Sequence, residues 1–297
     1  MYINIFLFEN ILKFKKLEEN KILRSKVLCS TGAFIGRVNG RNYKLIIENA
    51  QKIHCDGFEF MLYPSWYDVM DQLVYDLKAT DIAFPIVHID KQVGEIISRN
   101  EKNDIESALE LFDKNCRIAN VLGSEKLVLH LWGGLPSDRD INNNIEQFEK
   151  LHAISKSYDL LLTVENVVCN QQNPITHLQS LQRCYPNISF TFDTKMAAFH
   201  SQLPLIYENE WEWLWEGNHI RHLHINDYCG GHMDWGSLKA LHIGEGNIDF
   251  DRFFTFLKSK SYSDTITVES TSMRKDGSIE IEKLNRSLDY IYGKLEE

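Results

Sequence analysis

Five short stretches in the middle and C-terminal half of the chain constrain its fold more than any other feature. In order they are Val128-Leu129-His130, Thr163-Val164-Glu165-Asn166, Thr191-Phe192-Asp193, His222-Leu223-His224 and Thr267-Val268-Glu269. Each is a run of β-branched and apolar residues closed by a side chain able to bind a metal. Short apolar runs bounded by loop residues read as buried strands. An unpaired carboxylate or imidazole at the end of such a strand would cost several kcal/mol. One such residue alone can be a buried polar group satisfied by hydrogen bonds. Five in succession, one per strand, read as a ring of ligands aimed at a common centre.

The rest of the chain supplies the matching framework. Further strands are expected at Val27-Leu28-Cys29, at Phe58 to Leu62 with Glu59 inside it, and at Phe84 to His88, which ends in a histidine. The fourth to eighth strands are expected over 126–130, 160–165, 188–193, 220–225 and 265–269. Helical spacing of apolar residues predicts helices over 42–54, 69–78, 104–122, 145–158, 175–184, 203–215, 250–260 and 279–295. Gly123 stops the 104–122 helix, as glycine does at a C-cap. Strands alternating with helices imply parallel pairing and right-handed crossovers. Eight alternations predict an α/β fold, a single (β/α)8 TIM barrel, whose active site lies at the strand C-termini. The candidate ligands sit at those ends. Residues 26–297 are expected to form this one domain, and residues 1–25, charged and irregular after Lys13, an N-terminal appendage.

The net charge of −10 argues against nucleic acid as the main partner, because phosphate neutralisation needs clustered Lys and Arg. It suits an enzyme acting on a small molecule. No apolar run approaches the roughly 20 residues of a membrane span, so no membrane association is expected. The apolar stretch Ile3 to Phe8 is short and lacks a basic flank and a small-residue cleavage site, so it does not read as a signal peptide. The six cysteines are scattered and form no Cys-x-x-Cys pair, which predicts reduced thiols and a cytoplasmic protein.

Glu165, Asp193, His224 and Glu269 end the fifth to eighth strands, adjacent staves of a barrel. Two glutamates, one aspartate and one imidazole suit a divalent ion such as Zn, Mn, Mg or Co. His88 and His130 are candidates for a second metal or for substrate contact. Glu59, Trp132, Lys195 and Asp227 are candidate substrate-binding residues near the strand ends. His222 is expected to face away from His224 and pack against a helix. Trp211, Trp213 and Trp215 are expected in helix packing or a subunit contact, which leaves a homo-oligomer open. Glu245 is expected to order its loop.

The order of these motifs resembles the xylose isomerase-like barrel superfamily, which holds sugar-phosphate isomerases and epimerases and the endonuclease IV group. The pieces that carry the resemblance are Val164-Glu165-Asn166, Phe192-Asp193-Thr194, His222 to Asp227 and His242 to Ile248, the last similar to a Gly-Glu-Gly loop after the seventh strand. The resemblance implies a metal on Glu165, Asp193, His224 and Glu269. In the epimerase branch it further implies that Glu165 and Glu269 exchange a proton beside a carbonyl, through an enediolate. In the endonuclease branch, His88 and His130 match holders of a second zinc bridged by Glu165. That branch also has a histidine where this chain has Met196, and an Asp-x-His where it has Leu238-Lys239-Ala240. The substrate arginine of the epimerase branch is Gly230 here. The function expected is therefore a divalent-metal-dependent isomerase or epimerase of a sugar, sugar phosphate or related polyhydroxy compound. The alternatives are an endonuclease IV-like phosphodiesterase (AP endonuclease family 2) and a non-catalytic barrel.

Overall fold

A computed structural model describes residues 25–297. The expected N-terminal appendage and the Ile3 to Phe8 stretch lie outside the described residues. Within them the chain forms eight strands: β1 (Val27–Ser30), β2 (Phe58–Met61), β3 (Ile86–His88), β4 (Lys126–Leu129), β5 (Leu161–Glu165), β6 (Ser189–Asp193), β7 (Ile220–Ile225) and β8 (Thr265–Val268). All pair in parallel with their sequence neighbours, and β1 closes on β8 with Val27 opposite Ile266 and Cys29 opposite Val268. The result is a closed (β/α)8 barrel. Among the described residues no helix is long and apolar enough to cross a membrane, and all six cysteines are free.

The two faces of the strands carry different chemistry. Val27, Phe60, Val87, Leu127, Leu129, Leu162, Val164, Phe190, Phe192, Leu223, Ile266 and Val268 belong to one large cluster between barrel and helices. Successive strand residues point to opposite faces, so the residues between them line the barrel. There, Leu28, Ile86 and Val128 form a small apolar plug separate from the main core. Most of the remaining inner face is polar, with Glu59, Thr163, Thr191 and His222 all fully buried. Thr163 and Thr191 share a hydrogen bond of 2.7 Å across neighbouring strands. This departs from the branched aliphatic filling usual in such barrels.

Several helices differ from expectation at their ends. Helix 104–122 has the expected bounds and stops at Gly123, whose φ of 76° is left-handed. The 42–54 segment forms a helix only over Lys44–Asn49 and then a 3-10 turn. Pro64 starts a 3-10 turn that precedes the Met70–Lys78 helix. The expected 203–215 helix does not form as one piece. It divides into 3-10 turns at Leu203–Tyr207 and Asn209–Trp211 and a short helix at Trp213–Glu216, and Trp211 and Trp215 are buried against the core. Apolar spacing reported burial there, while Pro204 only starts the first turn and the backbone breaks at Glu208, which is extended at φ −92° and ψ 144°. Two helices were not expected: Gln92–Arg99, and Thr194–Phe199 directly after β6.

One buried carboxylate fastens the loop after β5 to the loop after β4. Asp138 accepts from the backbone N–H groups of Asn170, Gln171 and Gln172 at 2.7, 3.0 and 2.9 Å, and lies 3.0 Å from His177 Nε2. Burial alone would raise its carboxyl, but His177 and the three N–H donors outweigh that and hold it at about 2. A folded-state value below the unfolded one contributes stability above the unfolded value, and the contribution is lost as pH falls through the folded one. Asp138→Ala should therefore cost about 3 kcal/mol at pH 7. The gap from the parent protein should narrow as pH drops from about 4 to about 2, which urea unfolding midpoints across that range will measure.

Candidate metal centre

The four expected ligands converge. Ligand atoms of Glu165, Asp193, His224 and Glu269 all lie within 4.8 Å of one another. The register explains why: Glu165 pairs with Thr191, Asp193 with His224, and His224 with Thr267, two residues before Glu269. His224 Nδ1 sits 3.3 Å from Glu165 Oε1 and 3.4 Å from Glu269 Oε2. Asn226 Nδ2 reaches both Asp193 Oδ2, at 3.3 Å, and Glu269 Oε2, at 3.4 Å.

Asp193 is held from behind. Its backbone N–H donates to Asn166 Oδ1 at 2.6 Å, and Asn166 Nδ2 donates back to its carbonyl at 3.1 Å. Asp193 Oδ1 caps the Thr194–Phe199 helix by accepting from Met196 N–H at 2.9 Å. Oδ2 is left for the site, with Lys195 Nζ 3.8 Å away. Thr194 Oγ1 bonds to Asn226 on β7's continuation, at 2.8 Å to its carbonyl and 3.1 Å to its N–H, so β6 and β7 stay locked at the mouth.

A second group adjoins the first. Glu165 Oε2 has His130 Nε2 at 2.8 Å and His88 Nε2 at 3.4 Å, and neither approach is aligned as a hydrogen bond. His88 Nδ1 lies 2.9 Å from the Ile89 carbonyl, an acceptor, so Nδ1 carries the proton. In the neutral ring, the Nε2 lone pair then points at a carboxylate oxygen. Two electron-rich atoms turned toward each other in a dry interior suit a shared cation. The donor set of both groups thus fits divalent metal ions.

The electrostatics carry the same message. Burial raises the Asp193 carboxyl, Lys195 opposes, and Glu165 and Glu269 push it up again, to about 6. Burial would also raise Glu165, but His130 and His224 outweigh it and hold that carboxyl well below the ordinary range. Burial disfavours a proton on His224, yet Glu269, Glu59 and Glu165 together raise it well above 6.5. Burial brings His130 down to about 4, against the pull of Glu165.

Above the centre lies a cleft of about 350 Å³, lined by Arg41, Tyr63, Asp90, Lys91, Lys195 and Glu269 among others. Lys195 therefore lies where expected. Arg41 stacks on the Tyr63 ring at 4.7 Å. Both sit on loops after β1 and β2, where no sequence pattern marks them.

Four expectations need correction. Glu59 does not line the cleft: it is fully buried, 2.8 Å from His222 Nε2 and 3.1 Å from His224 Nε2, with a carboxylate oxygen within 4.8 Å of His88 and Glu269 ligand atoms. His222 does not face a helix. Residues two apart share a strand face, so His222 points inward with His224. Trp132 is fully buried and donates through Nε1 to the Val168 carbonyl at 3.2 Å, with its ring edge-on to His177, so it is wall rather than substrate contact. Asp227 is committed to the Gly-Glu-Gly loop, accepting from Gly244 and Gly246 N–H at 2.9 Å each and from Ile248 N–H at 3.1 Å. Glu245 is a loop brace as expected, accepting from His242 N–H at 3.2 Å and pairing with Lys283 at 2.7 Å.

Comparison with known proteins places this geometry. A search of curated proteins finds no match by sequence. Among solved structures, a D-tagatose 3-epimerase-like protein is similar at a TM-score of 0.70 and 20% identity, over 91% of this chain and 97% of that one. D-allulose 3-epimerase from Methylomonas sp., solved with D-allulose, matches at 0.67 and 18% identity over 91% and 97%. The IolI protein with a bound zinc atom matches at 0.67 and 16% identity over the same shares. These likenesses show a common fold. The family model described as xylose isomerase-like TIM barrel matches residues 47–292, most of the chain. The chain belongs to the xylose isomerase-like TIM barrel family.

Proposed function

We propose that the protein is a divalent-metal-dependent isomerase or epimerase of a sugar or related polyhydroxy compound. The observation that carries this reading is the convergence of Glu165, Asp193, His224 and Glu269 beside an open cleft that Glu269 and Lys195 line. Support also comes from the barrels that resemble this one, among them a D-tagatose 3-epimerase-like protein, a D-allulose 3-epimerase and an L-ribulose 3-epimerase. A bound ion would polarise a substrate carbonyl and stabilise the oxyanion that develops on it.

The chain's own residues supply the rest. Glu269 lines the cleft and has a partly exposed carboxylate, so it can meet a substrate C–H directly. Glu165 is buried and held ionised by His130 and His224, so it can receive a proton without first losing one. One carboxylate removes the proton beside the carbonyl and the other returns it. Lys195 Nζ, beside Asp193 and open to the cleft, can bind a substrate oxygen. The buried walls restrict water, which limits exchange of the proton in transit.

A second reading is favoured by one observation, the His88, His130 and Glu165 group. A phosphodiesterase would use two ions bridged by Glu165. Met196 stands where a third ion's histidine is expected on the resemblance, and its N–H merely caps Asp193.

Glu165→Gln and Glu269→Gln should each lower kcat for ketose epimerisation by about 10²–10⁴-fold, with circular dichroism unchanged. Turnover at the parent rate in either variant would exclude the mechanism. Elemental analysis of the purified protein should return at least one divalent ion per chain, and His130→Ala should remove a second if two are held. Metal binding must displace the proton from His224, raised well above 6.5, and from Asp193 at about 6. Affinity should therefore rise with pH through this range, and calorimetry in buffers of different ionisation enthalpy should register proton release.

A further inference from the structure

Beneath the metal centre the inner face of the barrel carries a run of polar side chains with no part in the chemistry above. It starts near the N-terminal end of β4, where buried Lys126 has Nζ 2.6 Å from Asp264 Oδ1 and donates to Thr265 Oγ1 at 2.8 Å. An ammonium only donates, so the Thr265 oxygen accepts there. The hydroxyl proton is then available to His222 Nδ1, 2.7 Å away. His222 receives at Nδ1, and its own proton sits on Nε2, 2.8 Å from Glu59 Oε2. The same carboxylate oxygen lies 3.1 Å from His224 Nε2. His224 therefore also carries a proton on Nε2, and Nδ1, hydrogen-bonded to Glu165 Oε1 at 3.3 Å and 3.4 Å from Glu269 Oε2, is the nitrogen left to exchange its proton for a cation.

The Thr265 carbonyl, 3.1 Å from His222 Nδ1, would favour the opposite tautomer. That tautomer would turn the Nε2 lone pair onto the Glu59 carboxylate, in an interior where such repulsion is poorly screened. Glu59 settles the direction, because an ionised carboxylate only accepts, and the Lys126 contact leaves the Thr265 hydroxyl proton free to donate. Glu59 is also a poor structural element on its own account. Its Oε1 is buried with no hydrogen-bond partner, which costs stability rather than adding to it.

We propose that Glu59 is a positioning residue for the metal centre: its carboxylate, oriented by the Lys126–Thr265–His222 chain below it, holds His224 in the tautomer and ring setting whose Nδ1 can take a divalent cation. The inference rests on the reading that His224 is a ligand. Groups that accept the second N–H of a ligating imidazole fix its tautomer and raise its basicity, and their loss weakens metal binding by about 10–100-fold.

The test uses the full chain and zinc alone, with affinity measured by chelator competition at pH 7 and histidine ring nitrogens and protons observed by NMR on the zinc-loaded protein. The parent protein should show a slowly exchanging Nε2 proton on His224 with Nδ1 bound to zinc. Glu59→Leu should weaken zinc by about 10–100-fold and abolish that slow proton. Glu59→Gln, which keeps a carbonyl oxygen as acceptor, should recover most of both losses, which a purely structural role would not predict. Thr265→Val, nearly isosteric, should weaken zinc by about threefold or more, and it decides the matter if Glu59→Leu does not fold. Parent-like affinity and ring signals in Glu59→Leu, or in Thr265→Val where that variant decides, overturn the proposal. So does a proton found on His224 Nδ1. If the parent chain itself binds no zinc, the metal reading falls along with it; if it binds and the variants bind equally, only the role of Glu59 falls.

Discussion

Four carboxylates, from Glu59, Glu165, Asp193 and Glu269, face the inside of one barrel, and the structure is arranged around the repulsion among them. Two unit charges 4 Å apart interact by about 4 kcal/mol at the effective dielectric of a protein site. Among the described residues, Lys195 is the one permanent cation in contact with the group, at 3.8 Å from Asp193. Imidazoles take up part of the remainder: His224 touches three of the four acids, and His130 touches Glu165. The strain left over appears in Asp193, whose burial and acidic neighbours push it to about 6. A divalent ion among these oxygens would relieve burial cost and repulsion together. For that reason the donor set fits a divalent metal ion.

The fold can tolerate such an interior because the two faces of each strand have separate duties. The outward side chains join the helices in one continuous apolar cluster, while only Leu28, Ile86 and Val128 form an apolar plug inside. Stability is thus carried outside the barrel, and the inside is free for chemistry. The loops above follow the same division. Asp138 ties down 170–172, Asp227 ties down the Gly-Glu-Gly turn, and Asp193 serves as helix cap through one oxygen while offering the other to the site. Backbone N–H groups hold all three carboxylates, so the mouth is built from acids that are committed and acids that are not.

The architecture was legible because each strand is a short apolar run and each ligand ends one, a signal repeated eight and five times. The convergence of Glu165, Asp193, His224 and Glu269 followed from it without any knowledge of packing. Glu59 and His222 were misplaced for a different reason. Both lie on inward positions one layer below the mouth, and depth along a strand depends on the stagger between neighbours, which no single strand encodes. The opposite-face assignment of His222 also conflicts with the two-residue period that places it beside His224. Trp132 and Asp227 follow strand ends just as the four convergent residues do; the contacts to Val168 and to the Gly244–Ile248 turn distinguish them. Arg41 and Tyr63 reach the cleft from loops whose course depends on tertiary contacts, among them Trp66 Nε1 donating to the Arg41 carbonyl at 2.7 Å. The 203–215 segment shows the limit of periodicity itself, since buried tryptophans at helical spacing do not require a helix.

Glu165 is where the two functional readings meet. One of its oxygens faces His224 and the other faces His88 and His130. A carboxylate placed this way can bridge two ions, or it can bind one ion through Oε1 while Oε2 stays paired with an imidazolium. The His88 contact to the Ile89 carbonyl is common to both states: it fixes a proton on Nδ1, so Nε2 is a metal-ready lone pair in the neutral ring and a second N–H in the charged one. His130 has no such anchor among the described contacts, and burial drives it toward the neutral form, at about 4. A neutral His130 beside an ionised Glu165 donates one proton at most, so two imidazoles cannot both satisfy Oε2 unless at least one is charged. The alternative to a charged imidazole is a second cation. On the proposed reading, a single ion would leave Glu165 Oε2 free to carry a proton, whereas a second ion on the His88 and His130 side would occupy that oxygen.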